Sequence, residues 1–153
     1  MAQVLTKPVE TPPARGTLTP CILDEDLEEL DALTALIDDL GYEAVRTSHS
    51  DEALDCVRNG RSRLLLADLS NTGPFGYDLL DRILRLDPGV HVIVMTRHYT
   101  LDSALEAIRR GASDFLPKPV DRSRLKRALD DVSALYDQRR RVRALGGTTI
   151  KRS

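Results

Sequence analysis

The sequence has no tryptophan, only 4% aromatic residues and two cysteines. Because hydrophobic residues still make up 41% of its 153 residues, we expect one domain with a core of leucine, isoleucine, valine and alanine. Cys21 and Cys56 are too few and too isolated to build a disulfide framework or a zinc site. We therefore predict two buried thiols in a protein of the reducing cytoplasm.

Long apolar runs and a strong net charge are also missing. No run approaches the roughly 18 residues of a membrane span, and the N-terminus has no apolar signal-peptide stretch. A formal net charge of −2 argues against direct nucleic-acid binding, which usually needs a basic domain. The sequence thus predicts a cytoplasmic domain without a membrane partner.

The two ends of the chain differ from its middle. Residues 1–17 contain three prolines and no periodicity, which predicts a disordered N-terminal extension. We predict a domain over residues 18–135. Residues 136–153 are predicted to continue the last helix and to end in a frayed tail from Gly146 onwards.

Between these ends, short apolar runs alternate with helical patterns. The predicted strands are 21–23, 42–46, 64–67, 90–95 and 115–116. The predicted helices are 27–40, 51–59 with Ser50 as the N-cap, 77–86, 101–108 and 121–145. Apolar strands that alternate with helices predict an α/β fold, a doubly wound (βα)5 arrangement around a five-stranded parallel sheet.

Polar residues follow four of the predicted strands. They are Asp24, Glu25 and Asp26 after the first, Asp68 after the third, Thr96 at the end of the fourth and Lys118 after the fifth. Sheets of this kind bind ligands at the carboxyl ends of their strands. Carboxylates that share a pocket repel each other unless a cation joins them, and oxygen ligands without histidine suit Mg²⁺. Since a carboxylate can accept a phosphoryl group, the residues predict Mg²⁺-assisted phosphoryl transfer.

Each residue also has a plainer interpretation. Acids at 24–26 are favoured by the dipole of a following helix, and Asp68 could simply begin a loop. Thr96 could be an ordinary strand-end threonine, and Lys118 a solvated turn residue. Their joint occurrence at four strand ends favours a site.

Three motifs resemble the receiver domain of two-component response regulators, over about residues 18–135. In LLLADLSNTGPFGYDLL, Asp68 stands at the family's phosphoacceptor position. In VIVMTRH, Thr96 stands at the switch hydroxyl. In GASDFLPKPVD, Phe115 stands at the switch aromatic and Lys118-Pro119 at the lysine–proline pair. The stretch from Thr96 onwards is most similar to receivers of nitrogen-regulatory, sigma-54-dependent regulators.

The resemblance implies a flavodoxin-like fold with strand order 2-1-3-4-5. It implies a cis bond before Pro119, and Mg²⁺ held by Glu25, Asp68 and the backbone carbonyl of Ser70, with Asp24 acting through water. A sensor histidine kinase would supply the phosphoryl group. Phosphorylation would then change the surface of the fourth helix, fifth strand and fifth helix. No ATPase loop follows, so we expect either a stand-alone receiver or a fragment of a longer regulator.

Four positions depart from the family's pattern. Glu25 replaces the commoner aspartate, and Leu27 and Thr72 stand where proline is frequent. Arg97 follows the switch threonine, where small residues are usual. A guanidinium there could crowd the site or pair with its acids, so we predict slower access for phosphodonors and for the water that removes the phosphoryl group.

The last predicted helix is long. Leu125, Leu129, Val132, Tyr136 and Arg139 follow one another at spacings of four, three, four and three residues. This is the spacing of a coiled-coil seam, so the part of the helix after Leu135 could pair with a second chain. A homodimer through the fourth helix, fifth strand and fifth helix is the other possibility. The basic run at 138–143 favours a solvated helix face over contact with DNA phosphates.

Two other functions stay open at the level of sequence. Arg97 and Thr72 motivate a receiver-like interaction module that takes no phosphate. A Mg²⁺ phosphohydrolase with an aspartate nucleophile is disfavoured, because Ser70 stands where such enzymes carry their second carboxylate.

Overall fold

The computed structural model describes residues 18–70 and 76–149, which form five strands and five helices. The strands are β1 (Pro20–Leu23), β2 (Val45–Thr47), β3 (Leu64–Asp68), β4 (His91–Thr96) and β5 (Asp114–Pro117). The helices are α1 (Leu27–Asp39), α2 (Ser50–Arg58), α3 (Gly76–Leu86), α4 (Leu101–Arg109) and α5 (Arg122–Thr149). All strand pairings are parallel and the order is β2-β1-β3-β4-β5, so the predicted fold is confirmed.

The sheet separates two apolar cores, because successive side chains of a strand point to opposite faces. On one face, Leu65 of β3 packs in a cluster that includes residues of α2, α3 and α4. On the other face, Leu64 and Leu66 pack with residues of α1 and α5. All three leucines are fully buried, and each such burial stabilises the fold by about 1.5–3 kcal/mol.

Asp26 fixes the start of α1. Its side chain accepts hydrogen bonds from the backbone N–H groups of Glu28 (3.0 Å) and Glu29 (3.2 Å), which would otherwise lack partners. The helix buries Leu30, Leu33 and Ile37, whereas Leu27 at its start is 59% exposed. This cap places the first turn of α1 beside the carboxyl end of β1.

The sequence misplaced two neighbouring boundaries. The strand β2 covers 45–47 instead of 42–46. The N-cap of α2 is His49, without a side-chain hydrogen bond, and Ser50 already belongs to the helix. The reason is a contact just before the helix. The Thr47 hydroxyl accepts a hydrogen bond from the His49 N–H (3.0 Å), and this bond fixes the turn into the helix without a capping serine.

Helix α5 is 28 residues long and continues to Thr149, past the position where a frayed tail was predicted. A glycine such as Gly146 disfavours a helix by only about 1 kcal/mol, and no proline interrupts the segment. Leu125, Leu129 and Val132 are buried against the sheet, so this part of the predicted coiled-coil spacing is used within the domain.

The predicted extension at 1–17 and the residues 150–153 lie outside the described part of the chain. The division into a domain at 18–135 and a helical extension stays a prediction. Among the described residues, no helix is both long and apolar enough to cross a membrane.

Candidate functional site

The order of the strands brings two acids and a lysine together at the carboxyl edge of the sheet. Asp24 follows β1, Asp68 ends β3 and Lys118 follows β5. The Lys118 Nζ lies 2.7 Å from Asp24 Oδ2 and 2.5 Å from Asp68 Oδ2. All three side chains are nearly fully buried, with exposed fractions of 6%, 0% and 5% for Lys118, Asp24 and Asp68. Asp24, Asp68 and Lys118, which were predicted from three different strand ends, therefore meet in one pocket.

The two acids differ in their tendency to ionise. Burial raises the pKa of the Asp24 carboxyl, the charge of Asp68 adds to this effect, and Lys118 offsets it only in part. Burial also acts to raise the pKa of Asp68, but hydrogen bonds from Lys118 and Ser70 outweigh it and bring that pKa below its usual value. Asp68 is thus held as a carboxylate, the form that can attack an electrophile.

Ser70 and Thr96 line the same edge. The Ser70 N–H donates to Asp68 Oδ1 at 2.7 Å, and the Ser70 hydroxyl accepts the backbone N–H of Arg97 at 2.9 Å. The Thr96 side chain is buried, and its hydroxyl accepts the His98 N–H at 3.0 Å. Because the Thr96 oxygen acts as an acceptor in this contact, its hydroxyl group can also donate its proton to an anionic oxygen.

Glu29, which the sequence analysis did not select, is part of this pocket. It pairs with the Lys118 ammonium and with the Arg97 guanidinium. One oxygen from each of Asp24, Glu29 and Asp68 lies within 4.8 Å of the others. Glu25, predicted as a metal ligand, is exposed and lies outside this group of three. Its role as a ligand stays a prediction.

The capping pattern at the start of α1 predicts a different role for Glu29. An aspartate N-cap followed three residues later by glutamate usually forms a capping box, in which the glutamate returns to the N-cap N–H. Here the Asp26 N–H donates instead to Asp24 Oδ1 at 2.9 Å. The Glu29 carboxylate is consequently available to the two cations of the pocket.

Arg97 lies at the edge of this group of acids and lines a cavity together with Glu29 and Lys118. Its guanidinium pairs with Glu29 and lies 3.9 Å from Asp26 Oδ2, and its side chain is 45% exposed. The arginine therefore interacts with the acids at the rim, which is one of the two arrangements that its sequence position suggested.

The pocket suits a hard divalent cation. Its potential donors are the carboxylates of Asp24, Glu29 and Asp68, all of them oxygen atoms. Asp24 and Asp68 are buried with their negative charge compensated by Lys118, an arrangement that a metal ion can take over. An all-oxygen donor set fits Mg²⁺.

The predicted switch residues lie on one cavity. Phe115 is 5% exposed and its ring packs on Tyr99, with centroids 5.2 Å apart and planes inclined by 57°. A cavity of about 290 Å³ is bordered by Phe115, Thr96 and Ser70. The Lys118–Pro119 peptide bond is cis, as the family pattern implies. Thr72 lies outside the described residues.

Comparison with known proteins decides the family. Residues 21–130 match the response regulator receiver domain. The chain belongs to that family. Among curated relatives, the phosphoglycerate transport system transcriptional regulatory protein PgtA of Salmonella typhimurium is 32% identical over 110 residues, which cover 72% of this chain and 26% of PgtA. The DNA-binding transcriptional regulator NtrC of Azospirillum brasilense is 33% identical over 100 residues, covering 65% of this chain and 21% of NtrC.

These matches confirm the predicted similarity to nitrogen-regulatory receivers, and the chain spans about a quarter of the length of these relatives. Solved structures agree. NtrX from Brucella abortus superimposes with a TM-score of 0.72 at 28% identity, over 83% of this receiver and 28% of NtrX. A receiver domain protein from Clostridium thermocellum gives 0.70 at 25% identity, over 82% and 98% of the two chains.

Proposed function

We propose that this receiver domain works in the cytoplasm as a phosphoacceptor, taking a phosphoryl group on Asp68 from a sensor histidine kinase. The observation that supports this most is the contact of 2.5 Å between Lys118 Nζ and Asp68 Oδ2 in a nearly buried pocket. The contact keeps Asp68 ionised and supplies a cation beside the atom that would react. In this role the domain is a signalling protein, and the reactions it catalyses are the transfer of the phosphoryl group to its own Asp68 and the later removal of that group.

In the proposed reaction, a carboxylate oxygen of Asp68 forms a bond to phosphorus as the bond from phosphorus to the donor's nitrogen breaks. The electron pair of that bond leaves with the donor imidazole, and Asp68 becomes an acyl phosphate. Lys118 and the Thr96 hydroxyl then bind phosphoryl oxygens. Mg²⁺, held by Glu25, Asp68 and the Ser70 carbonyl with Asp24 through water, would neutralise charge on the transferring group.

The phosphoryl group would bring about −1.5 to −2 charges to the sheet edge. We propose that Thr96 moves towards it and that Phe115 occupies the space so released. The burial of Phe115 beside Tyr99 and the cavity shared with Thr96 support such a rearrangement. Phosphorylation would then shift the population between two packings of α4, β5 and α5, provided that it binds one of them better.

Two surfaces are available for a homodimer. On α4, Leu101 is 68% and Leu105 is 58% exposed, which favours the face of α4, β5 and α5. On α5, Leu135 is 46% and Val142 is 57% exposed, and a spacing of seven residues places both on one side of the helix. We propose that the second surface pairs two copies, because Leu129 and Val132 are already covered by the sheet while these two are not.

Arg97 is proposed to slow both the arrival of donors and the attack of water, since it borders the pocket and pairs with an acid inside it. The same contact favours a second candidate, an interaction module that works without phosphate. In that case the Arg97–Glu29 pair would close the pocket permanently.

Intact-mass analysis separates these functions. The chain is incubated with acetyl phosphate, with and without Mg²⁺, beside Asp68→Asn and an exposed control, Asp55→Asn. The proposal requires one Mg²⁺-dependent phosphoryl adduct on the wild type and on Asp55→Asn, and none on Asp68→Asn. Absence of any adduct would favour the phosphate-independent module.

A further inference from the structure

The site contains two cations, and one acid contacts both. Glu29 pairs with Lys118 and with Arg97. Of these two cations, Asp24 and Asp68 pair with Lys118 alone. Asp26 lies near Arg97 alone, with its Oδ2 3.9 Å from the guanidinium. Within the described ranges 18–70 and 76–149, Glu29 is thus the side chain that joins the buried lysine to the arginine at the rim.

The backbone around this junction is fixed on both sides. The main chain of Arg97 is held by its hydrogen bond to the Ser70 hydroxyl, and Ser70 is held by its own bond to Asp68. Glu29 lies in the first turn of α1, which Asp26 caps through the Glu29 N–H. The guanidinium of Arg97 is therefore positioned by its side-chain contacts alone, and the pair with Glu29 is the closer of its two contacts with acids.

Lys118 pairs with three carboxylates, because Glu29 joins the proposed phosphoacceptor Asp68 and its buried neighbour Asp24. An ammonium group has three N–H donors, so all three are engaged. A phosphoryl group on Asp68 would need one of these donors. The contact with Glu29 is the easiest of the three to exchange, because Glu29 is 27% exposed whereas Asp24 and Asp68 are 0% and 5% exposed.

We propose that Glu29 is a positioning residue that holds Arg97 across the mouth of the pocket and occupies one donor of Lys118 until Asp68 is phosphorylated. This inference rests on the proposed phosphoacceptor function and explains how Arg97 acts in it. Phosphorylation draws Lys118 from Glu29 to the phosphoryl oxygens. Entry of a small donor requires that the Glu29–Arg97 pair opens first.

Charge alone and a closed pair make opposite predictions for Arg97. Acetyl phosphate is an anion, so removing a nearby cation should slow its approach if long-range attraction matters most. If the Glu29–Arg97 pair closes the pocket, Arg97→Ala should speed phosphorylation instead. Glu29→Gln should do the same, and the double variant should gain nothing more, because either change opens the pair.

The test measures the second-order rate constant of Asp68 phosphorylation by acetyl phosphate at saturating Mg²⁺, using intact mass. The variants are Glu29→Gln, Arg97→Ala and the double variant. Glu28→Gln removes the same charge one position away on the exposed side of the same helical turn. We expect both single variants to be about three- to fivefold faster, the scale of an ion pair half exposed to water, with the double variant equal to them and Glu28→Gln equal to the wild type.

A second readout does not depend on phosphorylation. In the Mg²⁺-free protein, the ¹H–¹⁵N resonance of the Arg97 Nε–H group should shift in Glu29→Gln and stay in place in Glu28→Gln. The inference would be overturned if Arg97→Ala reacts more slowly than the wild type, if the effects of the two single variants add in the double variant, or if the Arg97 resonance does not change in Glu29→Gln. In each of these cases, a wild type that still takes up the phosphoryl group would uphold the proposed function. If no chain with Asp68 intact takes the adduct, both the function and the inference fail.

Discussion

The ammonium nitrogen of Lys118 lies 2.5 Å from a carboxylate oxygen of Asp68, although β5 is two strands away from β3 in the sheet. The lysine spans β4 because it follows the end of β5 and its backbone N–H donates to the Thr96 carbonyl at 2.8 Å. Nearly buried and shared by several acids, this cation makes the site electrostatically tolerable in the absence of a metal ion.

Replacing Lys118 by methionine should therefore destabilise the fold. Two buried carboxylates would lose their compensating charge, and we expect a loss of about 3 kcal/mol in the free energy of unfolding at neutral pH without metal. Added Mg²⁺ should restore part of it by binding the folded state. Urea unfolding with and without Mg²⁺ measures both effects. Lys126→Met, which breaks only an exposed pair with Asp130, serves as the control and should change stability by less than about 0.5 kcal/mol.

Stability should fall in mild acid because of His91. Its side chain is buried, and its Nε2 has no hydrogen-bond partner in the described part of the chain. Burial, with Arg139 and Arg63 nearby, lowers its pKa below the ordinary 6.5. The unfolded chain therefore binds this proton more readily, so stability present above about pH 6.5 is lost as the pH falls through that value.

The measurement is the urea midpoint between about pH 7.5 and pH 5. His91→Gln should lose less stability over this range than the wild type does. His49→Gln, at an exposed position, should follow the wild-type curve. Parallel curves for the wild type and His91→Gln would refute the role of this histidine.

Gly111 should tolerate no side chain. Its φ of +112° is disfavoured for any residue with a Cβ, and an added Cβ would lie 2.8 Å from Leu84 Cδ1. We expect Gly111→Ala to lower the free energy of unfolding by about 2–3 kcal/mol. Gly60→Ala has a φ of +72° and open space around the new methyl group, so its loss should be about 1 kcal/mol. Equal losses would show that the contact with Leu84 is without effect.

The part of α5 after Leu135 should make two copies of the chain form a dimer. Leu135→Lys combined with Val142→Lys should convert a concentration-dependent dimer into a monomer, because both exposed apolar side chains would carry charge. Sedimentation velocity over a range of concentrations checks this. Ala134→Lys adds charge about 100° around the helix and should leave the dimer intact. A wild type that sediments as a monomer at every concentration would disprove pairing.

The fold was predictable because its strands are buried on both faces. Runs such as 64–67 and 92–95 have no polar interruption, and that leaves a parallel sheet covered by helices as the consistent arrangement. Boundaries were less predictable. The alternation at 42–46 suggested a strand that begins at Tyr42, yet the tyrosine hydroxyl lies 3.1 Å from Ser133 of α5 and the strand begins three residues later. Such a contact, 91 residues away, has no local signal.

The site was predictable in part. Asp24, Asp68, Thr96 and Lys118 follow from strand ends, which topology brings to one edge. Glu29 does not, because glutamates in the first turn of a helix are common wherever the dipole favours them. Its direction depends on a competition for the Asp26 N–H, which Asp24 wins, and sequence spacing does not reveal that outcome.

The separation of the core into two layers has a mechanical consequence. Phe115 packs on the side of α2, α3 and α4, whereas its neighbour Leu116 packs on the side of α1 and α5. The sheet therefore shields α5 from a reorientation of the aromatic ring. Strain produced at Thr96 should reach the long helix through the hydrogen bond from the Lys118 N–H to the Thr96 carbonyl, and then along the backbone from Lys118 through Val120. The stiffness of that short connection, more than side-chain packing, should determine how strongly the proposed phosphorylation site and the long helix α5 influence each other.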